Sequence, residues 1–283
     1  MAILTINNLN ISVMDSACIV DGSFSVDAGD VVLLTGPNGC GKSTIIKVIV
    51  GDVFDYKDLK YDSSVITYNL NGTQIDVLGT EKERESFRKS ICYISQEDDF
   101  ESPRVLDCFK MSLNYYAIKN KERYVFDFIR KHNIYKAFAN SELPEIDAKE
   151  RLLAKRIKLD LNHLDDADKQ TLYYLTRNIN RMSGGQKKLT NIASNLIRYS
   201  FCNLIILDEP LNNLDYSNVR SFSNILTSIC KEKPELGVII VTHCRSIPVV
   251  NKILEIKDKR IVDGGQYNCS SCFGKINDQC MYI

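Results

Sequence analysis

The chain has 283 residues, 44% hydrophobic and 25% charged, and its 36 basic and 36 acidic side chains cancel to a formal net charge of zero. This is the composition of a globular protein able to bury a sizeable core, and local patches aside the charge balance gives no pull toward nucleic acid or an anionic surface. No run approaches the ~20 apolar residues that cross a membrane, and Met1-Ala2-Ile3-Leu4 lacks a charged leader, so a cytoplasmic chain is expected.

Ile3 to Val13 and Ala17 to Val26 read as strands, followed by the apolar run Val31-Val32-Leu33-Leu34. That run leads into Gly36-Pro37-Asn38-Gly39-Cys40-Gly41-Lys42-Ser43-Thr44, which fits G-x-x-x-x-G-K-[ST]. Glycines are needed there because successive N–H groups converge on phosphate oxygens only through backbone conformations that a Cβ disfavours. The anion then sits at the start of the helix Lys42 to Val50, with the Lys42 ammonium on the outer phosphates and the Ser43 hydroxyl on Mg2+. A plain glycine turn is the alternative, and the full match in strand-to-helix context argues against it.

Val65 to Leu70, Asn71-Gly72 and Thr73 to Leu78 carry a type I′ hairpin signal. From Pro103 to Arg181 the pattern is helical, with Val105, Cys108, Phe109, Val125, Phe126, Phe128 and Ile129 as apolar positions. Ser183 then suits the N-cap of a helix from about Gly184 to Tyr199, whose apolar face is Leu189, Ile192, Ala193, Leu196 and Ile197. Asn203 to Leu207 reads as a buried parallel strand ending in Asp208 and Glu209, where phosphate-loop enzymes place acids: Asp208 for Mg2+ and Glu209 as general base. Ser217 to Cys230 follows as a helix with Val219, Phe222, Ile225, Leu226 and Ile229 on one face, then a strand Gly237 to Thr242. The alternation predicts an α/β core with a mostly parallel sheet and ligand loops at the strands' carboxyl ends.

These motifs resemble those of the ATP-binding cassette (ABC-type) ATPase domain. Beside the phosphate loop and the acidic strand, Met182-Ser183-Gly184-Gly185-Gln186 resembles its signature, Ile91 to Gln96 its glutamine loop, and Val238 to His243 its switch histidine. The resemblance implies a phosphate-loop core, an antiparallel side sheet and an inserted helical lobe. It also implies a head-to-tail dimer in which Ser183, Gly184, Gly185 and Gln186 bind the γ-phosphate of ATP held by the partner. His243 would contact that phosphate and the attacking water, Gln96 would orient Mg2+ and water, and Asp215 would cross the dimer interface. One departure stands out: Asn10 to Val20 lacks the aromatic that stacks on adenine in the family, leaving Val13 or Met14 as a weaker surface.

A single cassette without membrane helices most resembles the separate ATPase subunit of a transporter, whose glutamine loop and helical lobe receive a permease. A non-transport ATPase acting in translation, repair or cofactor assembly is the alternative, since Pro210 to Asp215 resembles a segment of translation factors. A regulatory module with little turnover is a third reading, disfavoured by Glu209 and His243 together. The domain division expected is a core of 1–100 and 182–265, a lobe of about 101–181 and a tail of about 266–283. Within the lobe, Ser141 to Gln170 reads as an insertion, either a solvated elaboration or a docking surface. Of the ten cysteines, Cys92, Cys202 and Cys230 are expected as packed thiols, Cys40 as a reactive one, and Cys269, Cys272 and Cys280 as a tail with zinc as the minority reading.

Overall fold

The computed structural model describes residues 1–52, 59–62, 65–70, 72–96, 102–138, 145–242 and 247–265. It divides into two compact units, residues 1–96, 199–211 and 230–283 in one and residues 97–198 and 212–229 in the other.

In the first unit, β1 (Ala2–Val13) and β2 (Ser16–Asp27) form an antiparallel hairpin closed by Met14 and Asp15, both at positive φ. That is the turn type whose twist matches paired strands. β4 (Leu59–Asp62) and β5 (Val65–Leu70) pair with the other edge of β1, and β6 (Thr73–Asp76) pairs with β5. β5 and β6 pair with Leu70 opposite Thr73, while Asn71 of the expected turn lies outside the described residues; β6 stops at Asp76, whose carboxylate accepts the Leu78 N–H at 3.0 Å and turns the chain toward α2 (Glu81–Ser90).

The second sheet of this unit has the order β11-β10-β3-β9-β8-β7, built from β3 (Val31–Thr35), β7 (Ile91–Ile94), β8 (Leu204–Asp208), β9 (Gly237–Val241), β10 (Lys252–Lys257) and β11 (Arg260–Asp263). All neighbours are parallel except β10 and β11. Every residue of β3, β8 and β9 is buried, as their unbroken apolar runs require of strands covered on both faces. α1 (Lys42–Val50) sets Ile45, Ile46, Val48 and Ile49 into a core shared with Leu4, Ile6, Val32, Leu34, Ile206 and Ile239. The mixed α/β class read from the sequence is thus the observed one.

The second unit holds α3 (Val105–Ser112), α4 (Lys121–Lys131), α5 (Ala148–Arg156), α6 (Asp166–Thr176), α7 (Gly184–Leu196) and most of α8 (Tyr216–Glu232). Tyr174 sits at its centre, 1% exposed, stacked on Phe138 with ring centroids 4.2 Å apart, its hydroxyl 3.0 Å from the Thr190 hydroxyl. Helix α7, assigned to the core from sequence, clusters with these helices instead. It ends as an α-helix at Leu196 and continues to Phe201 as a 3-10 turn, short of the expected Tyr199. It is also buried well beyond one apolar face, since Lys188, Thr190, Asn191 and Ser194 are covered too. On α8 the buried position next to Phe222 is Asn218, while Val219 is only partly covered. The segment read as an insertion is half solvated: Leu153, Ala154 and Ile157 are buried.

Cys92 and Cys202 are buried thiols as expected, whereas Cys230 is only partly covered. The tail cysteines, Cys244 and His243 lie outside the described residues. No helix among the described residues is long and apolar enough to cross a membrane.

Candidate functional site

In the first unit the candidate groups gather at the carboxyl edge of the parallel strands. β3 ends at Thr35, and the loop that follows turns through Gly36, Gly39 and Gly41 at φ 152, 75 and 101. Gly36 has a packing reason as well as a conformational one, because a Cβ there would stand 2.9 Å from both the Cys40 sulfur and the Ile256 carbonyl oxygen. Gly41 caps α1 without a side chain, so the first N–H groups of that helix are left to the loop. Lys42 is 6% exposed and its ammonium donates to the carbonyls of Gly36 and Pro37, each at 3.0 Å. The lysine is therefore held across the mouth of the loop, while Pro37, Asn38 and Gly39 are exposed.

The Ser43 hydroxyl donates to the Asp208 carboxylate at 3.1 Å, joining the start of α1 to the end of β8. Asp208 is 4% exposed, and burial pushes its carboxyl above the ordinary range, opposed by the Ser43 hydroxyl and by Lys47 and Lys42. A desolvated carboxylate beside a hydroxyl is an all-oxygen donor set, which suits a hard divalent cation such as Mg2+. Glu209, 7% exposed, has φ 48 and anchors its N–H to the Val241 carbonyl at 2.9 Å. A non-glycine residue in the left-handed region costs ~1–2 kcal/mol, and such strain gathers at functional sites. Gln96 is exposed two residues beyond β7 at the same edge.

A cavity of about 410 Å³ opens on the phosphate loop between Ala17-Cys18, Pro37, Gly39-Cys40 and the segment Glu255 to Lys259. None of its lining residues is aromatic, and Met14, proposed from sequence as a substitute surface, is 76% exposed at its turn.

The remaining candidates lie in the second unit. Ser183 caps α7: its hydroxyl accepts the Gln186 N–H at 3.3 Å while the Gln186 side chain accepts the Ser183 N–H at 3.4 Å. Ser183 and Gly184 are exposed, and a Cβ on Gly184 would meet nothing within 4 Å. Gly185 differs, for a Cβ there would stand 2.6 Å from the Asn218 amide nitrogen. That amide donates to the Asp215 carboxylate at 2.9 Å, and the other Asp215 oxygen accepts the Asn218 N–H at 2.8 Å. Asp215 is thereby fixed beside the signature. Sequence reasoning missed Asn218; its available signal was Asp215 three residues earlier at the start of a helix, an N-cap spacing.

The sequence profile of the family described as ABC transporter matches residues 19–212. Among curated relatives, the zinc uptake system ATP-binding protein ZurA of Listeria innocua is 26% identical over 267 residues, 94% of this chain and 86% of the relative. Among solved structures, a dimeric bacterial ABC transporter cassette superposes with TM-score 0.62 at 17% identity, covering 94% of this chain and 99% of that one. The protein cbiO1 of Clostridium perfringens, described as part of the transporter complex cbiONQ, superposes with TM-score 0.59 at 22% identity over 97% and 91% of the two chains.

Proposed function

Starting from the finding that this chain belongs to the ABC transporter family and is an ATP-binding, ATP-hydrolysing subunit of a transporter, we propose how its residues divide that work. The observation that carries the proposal is the Ser43–Asp208 bond beside the buried Glu209. It brings a phosphate loop, a metal-ligand pair and a candidate base to one sheet edge.

In this reading Lys42 exchanges the Gly36 and Pro37 carbonyls for the β- and γ-phosphate oxygens of ATP, and the loop's N–H groups hold the remaining negative charge. Ser43 and Asp208, with Gln96, would hold Mg2+, which would supply charge neutralisation on the phosphates. Glu209 accepts the proton of a water attacking the γ-phosphorus in line, so water and ATP give ADP and phosphate. His243 donates to the γ-phosphate as charge develops on it. Ser183, Gly184, Gly185 and Gln186 of a second cassette complete the site, and Asp215 sits at that seam. The exposed, capped start of α7 supports this role, because its N–H groups and dipole favour an anion.

ATP is then the ligand that joins two cassettes, and hydrolysis releases them by removing the differential binding energy of the closed state. A membrane-spanning permease would recruit the subunit to the bilayer and receive the motion. The test is retention of partners by tagged Glu209→Gln protein, with ATP and Mg2+, from detergent-solubilised host membranes. A multispanning protein in near-stoichiometric yield is expected. Recovery of soluble complexes or ribosomes alone would overturn the permease assignment.

A further inference from the structure

Helix α5 divides its circumference by charge. At 3.6 residues per turn, Glu150, Leu153 and Ala154, with the following Ile157, share one side, and all four are buried. The opposite arc carries Lys149, Arg151, Leu152, Lys155 and Arg156, with Lys158 just past the helix end, and all of these are exposed. The helix's one acid, Glu150, is 4% exposed and occupied internally, accepting the Asp147 N–H at 2.7 Å and the Thr176 hydroxyl at 3.0 Å. Within the helix the solvent face therefore presents cations and no anion, with Leu152, 58% exposed, among them, while the exposed acids Glu145 and Asp147 lie just before the helix and Asp160 just after it.

Helices α2 and α4 are built differently. On α2 Lys89 pairs with Glu85 at 2.6 Å, and on α4 Arg123 pairs with Asp127 at 2.9 Å, the mixed pattern of a face that meets only water. On α5 only Arg156 is paired, with Glu122 at 3.2 Å, while Arg151 donates to the Ile146 carbonyl. Lys149, Lys155 and Lys158 have no ion pair among the described residues. In a chain whose net charge is zero, this concentration is local.

We propose that the exposed face of α5 rests on the anionic headgroups of a bilayer. The inference builds on the transporter reading above, which places the subunit beside a membrane. Charge complementarity identifies the occupant: long lysine and arginine stems reach phosphates over a broad, yielding surface while Leu152 enters the headgroup layer between them. One leucine and a helix of nine residues give a weak, salt-sensitive contact that orients a subunit otherwise held by its permease.

The experiment is co-sedimentation of the full chain with vesicles of phosphatidylcholine alone, or of phosphatidylcholine mixed with phosphatidylglycerol. Partitioning to the anionic vesicles alone is expected, weakening as salt is raised. The quadruple variant K149Q/R151Q/K155Q/K158Q should lose at least ~10-fold in partitioning, and Leu152→Ser a smaller factor, with ATP binding unchanged in both. Equal binding to neutral and anionic vesicles, binding to neither, or full retention by the quadruple variant would overturn the proposal. Binding to soluble polyglutamate without vesicle binding would also overturn it, assigning the face to an acidic protein. Loss of ATP binding by the wild-type chain would instead strike the ATPase reading, so the two failures are separable.

Discussion

The Asn218 amide nitrogen occupies space that any side chain on Gly185 would need, 2.6 Å from where a Cβ would stand, and it is held there by Asp215 at 2.9 Å. The Ser-Gly-Gly-Gln segment and the segment after the acidic strand are thus fitted to each other by a glycine, an amide and a carboxylate.

This fit separates two adjacent glycines. Gly185→Ala forces Asn218 off Asp215 and should cost about 1–3 kcal/mol by overpacking, read as a lowered melting temperature. Gly184→Ala meets open space and should leave stability within ~0.5 kcal/mol. If Gly184 faces a partner's nucleotide, its alanine variant nonetheless loses ATPase activity; unchanged activity would argue that this end of α7 touches no ligand.

Lys42 bridges Gly36 and Pro37 without an acidic partner in those contacts, so its ammonium is available to phosphate at little cost. Lys42→Met should weaken ATP binding roughly 30-fold or more, the loss of a charge-assisted contact of ~2–3 kcal/mol. A fluorescent nucleotide titration measures this directly, and affinity equal to wild type would remove the lysine from the site.

Alkaline stability follows from the buried tyrosines. Burial pushes the Tyr68 hydroxyl up to about 12, opposed by the Ser90 side chain, and the fully enclosed Tyr174 moves upward for the same reason. Both groups hold their protons more tightly when folded. Their stabilisation is intact below pH ~10, the unfolded value, and is lost as pH rises toward and through the folded value. Tyr68→Phe should recover on the order of 2 kcal/mol of that loss in unfolding measured across this window. A variant as alkali-sensitive as wild type would contradict this.

Sequence reading reached the phosphate loop, Asp208 and Glu209 because those positions obey fixed spacings on a strand-turn-helix and at a strand end. Parallel strands were equally legible, since β3, β8 and β9 are continuous apolar runs. The conformations of the turns at Met14-Asp15 and Asp258-Lys259 were not, because both adopt positive φ without the glycine or asparagine that announces such a turn; cross-strand pairing imposes the conformation. Burial of Lys188, Thr190, Asn191 and Ser194 was hidden for a related reason, as polar residues on a helix read as solvent-facing until tertiary contacts cover them. The capping spacing of Asp215 and Asn218 is visible in the sequence, but nothing local there reports that Gly185 lies against the pair.

The proposed role of Glu209 as acceptor of a proton from the attacking water is tested most directly by steady-state ATPase measurement of wild type and Glu209→Gln with Mg2+. The prediction is a fall in turnover of ~100- to ~10,000-fold with nucleotide binding retained. Turnover equal to wild type in the glutamine variant would contradict it.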